Sequence, residues 1–279
     1  MKKCSLITLV TCAILFSSCT TSFYQIYQVD YDSNLSPKDE MIVYEDDKCI
    51  ISYDLWENSG NPGFVFFNKT DQNIFLMLDK SFFIKNNQAY PYYLNRTLSS
   101  STSIEKGKSK SANLSVAVTG INYYDNIQTN RLVVEKGEEV KTIQGKAISY
   151  EEFKVIIIPP SSAREVYEYS INRSLIRDCD MFKYPKRKQI ITINFDSIDT
   201  PIHFRNHIEY SIGNMDTTFV VDNGFYVSSI VNKPEKEVII RRKDAFCGQS
   251  SREERDYFKS FGPNQFYIKY PKKDEHWKH

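Results

Sequence analysis

Apolar and polar residues alternate with period two along much of this chain. The clearest case is PIHFRNHIEYSIG, residues 201–213. Ile202, Phe204, Ile208, Tyr210 and Ile212 fall on one face, and His203, Arg205, His207, Glu209 and Ser211 on the other. That spacing predicts a strand with one buried and one wet face. Asn206 is the polar exception on the apolar side. Residues 63–67 and 74–78 read as strands around the turn composition Asn68-Lys69-Thr70-Asp71. Residues 81–84 and 88–90 flank Asn86-Asn87 as a hairpin. Residues 154–158 form an apolar run stopped by Pro159-Pro160, and further strands are predicted over 190–195, 238–241 and 266–270. TTFVVDNGFYVSSIV reads as two strands around Asn223-Gly224, a dipeptide that supplies the positive φ angles of a type I′ turn. In that register Val220 faces Val227 and Val221 faces Tyr226. One helix is predicted near the C-terminus, capped by Ser251 with Glu254 closing a capping box and stopped by Gly262-Pro263. Together these elements predict a mainly β fold, an antiparallel β-sandwich of immunoglobulin-like kind with one short helix near the C-terminus.

The N-terminus breaks this pattern. Met1-Lys2-Lys3 is followed by an uncharged run over residues 6–16 and the small residues Ser17 and Ser18. A run of that length is short of the roughly 20 apolar residues a spanning helix needs. It reads as a secretory signal peptide over residues 1–18. Cys19 then completes a bacterial lipobox, Phe16-Ser17-Ser18-Cys19, with Phe16 where leucine is usual. The expectation is cleavage before Cys19 and acylation of its thiol by diacylglycerol and palmitate-type chains, which anchors the protein without a transmembrane helix. Thr20, rather than aspartate, after the cysteine points to the outer membrane. The lack of an acidic cluster before Asp30 and Asp32 points to its periplasmic side. Residues 19–40 are expected to be the lipidated N-terminus and a polar tether. Residues 41–279 are expected to form a single sandwich domain, with a Ser-rich loop or insertion around residues 99–147.

Charge narrows the partners. The chain has 36 basic and 35 acidic side chains, and loss of Lys2 and Lys3 with the leader turns the formal charge from +1 to −1. That balance offers no electrostatic case for nucleic acid. Of the six cysteines, Cys4 and Cys12 leave with the leader and Cys19 is acylated, so Cys49, Cys179 and Cys247 remain. An oxidising compartment permits one disulfide, and Cys179–Cys247 is the favoured pair because Cys49 opens the apolar run CIISYDLW.

Catalytic signatures are missing. His203 and His207 have helical metal-pair spacing, but along a strand four residues span about 13 Å, too far for one zinc ion. No GxSxG, GxGxxG or GxxxxGK[ST] pattern occurs. No catalytic residue, metal site or cofactor is therefore nominated. Trp56, Tyr90, Tyr92, Tyr93, Tyr123 and Tyr124 are the aromatic candidates for stacking on sugar rings.

Cys19 with TTSFYQIYQVD, GFVFFNKTDQNIFL with SFFIKN, then VIIIPPSSAREVYEYSI, FRNHIEYSIG, FYVSSIVN and FYIKY resemble a family of Bacteroides-type (Bacteroidota) outer-membrane lipoproteins. The resemblance implies a β-rich cell-envelope lipoprotein and brings no active site with it. It also implies O-glycosylation at Asp-Ser/Thr motifs, which Ser197 in Asp196-Ser197-Ile198 and Thr217 in Asp216-Thr217-Thr218 fit. The favoured reading is a non-catalytic binding or structural module of the envelope, with the membrane as its anchor and an envelope protein or glycan as its partner. The alternatives are an envelope hydrolase acting on glycan or peptidoglycan, and a mobile-element or immunity-type lipoprotein.

Overall fold

A computed structural model describes residues 21–105, 116–118, 128–136, 139–273 and 278. The first strands in chain order are β1 (Ser22–Tyr31), β2 (Ser36–Lys38), β3 (Met41–Glu45), β4 (Cys49–Tyr53), β5 (Phe64–Asn68), β6 (Ile74–Met77), β7 (Phe82–Lys85) and β8 (Gln88–Pro91). They are followed by β9 (Thr97–Glu105), β10 (Val116–Val118), β11 (Gln128–Lys136), β12 (Glu139–Glu151), β13 (Val155–Ile158) and β14 (Ala163–Val166). The chain closes with β15 (Thr192–Asn194), β16 (His203–Ile212), β17 (Thr218–Pro234), the helical turn α1 (Glu235–Val238), β18 (Ile239–Phe246), β19 (Gln249–Phe258) and β20 (Gln265–Pro271). Every pairing between named strands is antiparallel.

Two sheets make the sandwich. One runs β13-β6-β16-β17-β1-β20, with β7 and β8 continuing from β16 and β15 added on β17; the other runs β14-β5-β4-β3-β2. Their facing sides share one core, to which Tyr27, Tyr210, Phe225 and Phe266 come from the first sheet and Ile51, Tyr53, Phe64 and Phe66 from the second. Aromatic rings carry the contact across it: Tyr53 meets Phe225 at 5.1 Å and Phe66 meets Tyr210 at 5.2 Å, both edge-on. Within the first sheet Tyr27 stacks on Phe266 at 4.3 Å and Phe204 on Phe225 at 4.9 Å. Edge-on and stacked pairs of this kind add about 0.5–1.5 kcal/mol each beyond area burial.

The predicted alternation of β16 holds from His203 to Tyr210, with Phe204, Ile208 and Tyr210 buried and His203 and Arg205 exposed, but it breaks at the strand's end, where Ser211 is buried and Ile212 half-buried. Asn206 lies on the buried side and is fully enclosed. The Asn86-Asn87 hairpin also forms, both residues having positive φ, 47° and 66°. Gly60 takes φ +73°, and a Cβ there would lie 2.8 Å from Ile171 Cδ1 and Phe266 Cγ, so the position admits no side chain.

Three expectations are corrected. Residues 22–31 are not tether but β1, a strand between β17 and β20, because Phe23, Tyr27 and Val29 bury against the core while the Gln25 side chain is satisfied by Asn232 and Ile176. Asn223-Gly224 is not a turn: it lies inside the continuous β17, where Asn206 pairs with Asn223 and Arg205 with Gly224. Gly224 is required for close approach instead, since a Cβ would lie 2.2 Å from the Asp32 carboxylate. The predicted helix over residues 251–262 is largely strand β19, and the one α-helix among the described residues is α1. Of the two alternatives for the Ser-rich region, loop or insertion, the chain forms an insertion: the stretch begins as strand β9, and β10-β9-β12-β11 form a separate four-stranded sheet between β8 and β13.

Burial pushes the phenol pKa values of Tyr27, Tyr53, Tyr92, Tyr210 and Tyr270 well up, with Tyr44 and Tyr169 raised to about 12. An unfolded phenol ionises near pH 10. The neutral phenols therefore stabilise the fold fully below about pH 10, and that stabilisation is lost as pH climbs toward the raised native values. Alkaline titration is expected to show tyrosinate absorbance rising in one cooperative step, together with loss of β-sheet circular dichroism. A gradual phenol titration with the sheet signal intact would contradict this core.

Candidate functional site

Three surface features carry polar or charged side chains in concert. The first is a hollow of about 500 Å³ beside β16 and β17, lined by Asp32, Asn86, Asn87, His203, Arg205 and Tyr226. Its groups are largely engaged with the protein itself. Asn86 accepts from the His203 N–H at 2.8 Å and donates to the Pro201 carbonyl at 3.1 Å. Arg205 donates to Asp222 at 3.1 Å, and His207 Nδ1 lies 2.7 Å from the same carboxylate. Among the described residues no group of three or more His, Cys, Asp or Glu is placed to hold a metal ion.

The second hollow, about 340 Å³, is lined by Leu78, Tyr92, Arg96, Glu152, Tyr167 and Glu168 among others. The Arg96 guanidinium donates to Glu152 at 3.0 Å and to both oxygens of Glu168. Glu152 also accepts the backbone N–H groups of Leu94 and Arg96. Arg96 precedes β9 and Glu152 follows β12, so this clamp ties the two ends of the inserted sheet to the sandwich. Both carboxylates are thus occupied as hydrogen-bond acceptors of one guanidinium.

The third feature is the arm made by β18 and β19. The two strands pair only with each other, and most of their residues are exposed on both faces. Cross-strand pairs hold it together. Arg241 meets Asp256 at 2.8 Å, Arg255 meets Asp244 at 3.0 Å, and the Arg242 guanidinium lies 4.1 Å over the Tyr257 ring. Pairs of this sort contribute roughly 0.2–1 kcal/mol each. At its base Phe258 packs with Trp56 at 4.8 Å and Tyr267 at 4.9 Å. Sequence reading missed the arm because Ser251 and Glu254 have capping-box spacing. The charged runs RRKD and REERD, in which Arg241 faces Asp256 and Lys243 faces Glu254 while Arg242 faces Arg255, were the available signal.

The nominated residues fall as follows. Cys19, Tyr123 and Tyr124 lie outside the described residues. Cys179 and Cys247 are both free and exposed, so the favoured disulfide is not formed. Cys247 sits at the arm's tip, about 26 Å along eight strand residues from its base. The segment just after Cys179 is fastened to the sheet by Asn232 donating to Phe182 and Tyr270 donating to Lys183. A disulfide needs Cα atoms roughly 5.5–6 Å apart. Ser197 and Thr217 stand on exposed turns, with Asp196 accepting the N–H groups of Ile198 and Asp199. The aromatic candidates do not assemble into one platform: Tyr92 is buried, Tyr90 and Tyr93 pack against the core, and Trp56 belongs to the arm's base.

Cys49 is fully buried, with its thiol 3.8 Å from the Tyr210 hydroxyl. Burial first, and then the nearby Asp46 charge, pushes its pKa up to about 12. A thiol-labelling reagent at neutral pH is therefore expected to modify Cys179 and Cys247 quickly and Cys49 only after denaturation. Rapid labelling of Cys49 in the native protein would contradict its enclosure.

Comparison with protein-family models, with curated proteins and with solved structures found no match to this chain.

Proposed function

We propose that this chain is a lipid-anchored, non-catalytic binding module of a bacterial outer membrane, held by acylated Cys19 and meeting an envelope protein through the β18–β19 arm. The arm carries this reading. A two-stranded ribbon exposed on both faces is marginal in water by itself. This one is charged on both faces and leaves unpaired strand edges along its length. Exposed edges of this kind accept an added strand from another chain, and the alternating charges supply selectivity for a partner of complementary pattern. The lipobox sequence supports the anchor, and Ser197 and Thr217 remain the candidate O-glycosylation positions on the exposed turns.

Site-specific photocrosslinking in intact cells tests the reading. A photoreactive residue at Arg252 on the arm is expected to give a discrete higher-mass adduct, while one at Asp71, on an exposed turn of the sandwich, gives none. Only monomer from the arm position, or the same adducts from both positions, would overturn the assignment of the arm.

A further inference from the structure

The near-neutral charge of this chain conceals a polar arrangement along β1. At the strand's far end stand Asp30, Asp32 and Asp196, with Asp222 beside them paired to Arg205 at 3.1 Å. At its beginning the surface is basic. Lys272 follows β20 and its N–H bonds the Thr21 carbonyl at 2.9 Å. The Lys273 N–H bonds the Tyr184 hydroxyl at 3.1 Å, and Lys233 sits opposite Tyr24 in the β1–β17 ladder. The segment carrying Lys183, Lys186 and Lys188 crosses the same end, fixed by Tyr270 donating to the Lys183 carbonyl at 2.6 Å and by the Phe23–Tyr184 ring contact. Lys186, Lys188, Lys272 and Lys273 are exposed. The carboxylates of α1 are already paired, Glu235 with Lys269 at 2.9 Å and Glu237 with Arg187 at 3.4 Å. Among the described residues Asp178 and Asp180 are the remaining carboxylates on the neighbouring segment, and Asp274 and Glu275, which follow Lys273 in the sequence, lie outside the described residues.

We infer that this basic end is a docking surface for the anionic phospholipid headgroups of the membrane that holds Cys19. The inference rests on the anchored reading and deepens it. Two residues, Thr20 and Thr21, separate Cys19 from Ser22, the first residue of β1, and the three steps between them reach at most about 11 Å. The screening length at physiological ionic strength is about 8 Å. With the expected twenty-residue tether, the domain would ride several screening lengths above the headgroups. Because residues 22–31 are built into the sheet, the chain enters the sandwich at its basic end, next to the bilayer. The acidic end then points away, across the roughly 33 Å length of a ten-residue strand. The acyl chains supply the anchor, and the lysines fix which end of the domain faces the lipid.

Each basic side chain near an anionic surface raises the binding constant about fivefold. The test uses the mature chain, residues 19–279, with Cys19→Ser, in which every described strand is intact. It is sedimented with vesicles of phosphatidylcholine alone or of phosphatidylcholine with phosphatidylglycerol. Binding is expected only to the vesicles with phosphatidylglycerol, and is expected to vanish between about 0.05 M and 0.5 M salt. Combined Lys186→Glu, Lys188→Glu, Lys272→Glu and Lys273→Glu substitutions should lower it at least about a hundredfold. Lys243→Glu with Arg252→Glu on the arm should leave it unchanged. Absent binding, equal binding to both vesicle types, or equal loss from the arm reversal would overturn the proposal. Intact mass of the full-length chain extracted from cell membranes reads the anchor separately. A missing acyl mass on Cys19 overturns the anchored reading, whereas acylation without vesicle binding overturns the basic docking end alone.

Discussion

Cys19→Ala in the full-length chain is expected to lower the acyl-anchored, membrane-bound fraction at least tenfold, and this is the largest functional effect anticipated for any single substitution. In the proposed reading the leader is cleaved before Cys19 and the acyl chains on that residue are what hold the chain to the bilayer. No helix among the described residues is long and apolar enough to cross a membrane. Acyl chains contribute about 0.8 kcal/mol per buried CH₂, and two chains on one cysteine together hold far more firmly than one. Two products are expected of the variant, and mass distinguishes them. A chain cleaved by another peptidase should appear in the soluble fraction. An uncleaved precursor should stay with the inner membrane, still carrying residues 1–18. The fractionation must be done at about 0.5 M salt, because the lysines at the start of β1 would otherwise hold part of the released chain on anionic lipid. A variant that is processed normally and still sediments with the outer membrane at that salt would end the lipid-anchor reading.

The sequence pattern reveals strands where alternation is carried by the strand's own residues, and misleads where a residue's role comes from elsewhere in the chain. β16 is legible because buried and more exposed positions alternate from His203 to Tyr210, with apolar residues at all the buried ones except Asn206. β7 and β8 are legible because Asn86 and Asn87 tolerate the positive φ their turn requires. β1 is not, because its buried face includes Gln25, a residue that looks solvent-exposed until Asn232 and the Ile176 backbone satisfy it. Asn223-Gly224 has the composition of a turn, yet Asn223 donates to Tyr53 at 2.7 Å and Gly224 makes room for Asp32, neither of which is local. The same distinction applies to the surfaces. The lipobox reading rests on contiguous residues, 16–19. The basic end is not legible, because residues from the 183–188 segment, the end of β17 and the end of β20 meet only after folding, in a chain whose total charge is nearly zero. The arm misleads because its charge pairs join residues across the hairpin, while capping-box spacing suggests a local helix.

Asn206→Ala is expected to be the most destabilising substitution of a single polar side chain in the sandwich, by about 3 kcal/mol. The asparagine stands on the apolar face of β16 and is fully buried. Its Oδ1 accepts from the Tyr92 hydroxyl at 2.6 Å, and its Nδ2 donates to the Pro62 carbonyl at 2.8 Å. Beside it the Tyr53 phenol is flanked by both Asn206 and Asn223, and Asn34 reaches Asn223 from the surface at 3.0 Å. This polar chain links β16 and β17 of one sheet to β4 of the other, through a core otherwise made of aromatic and aliphatic side chains. Truncation removes one residue but strands two buried partners, a hydroxyl and a backbone carbonyl, each costing about 1–3 kcal/mol when left unpaired. Tyr92→Phe should cost less, about 1 kcal/mol, since Asn206 keeps its bond to Pro62. Combining the two substitutions should cost less than their sum, because the hydroxyl that Asn206→Ala leaves unpaired is then gone. Denaturant midpoints at constant slope measure all three. A strictly additive double mutant, or an Asn206→Ala cost below about 1 kcal/mol, would mean that water replaces the asparagine and that the network does not join the sheets.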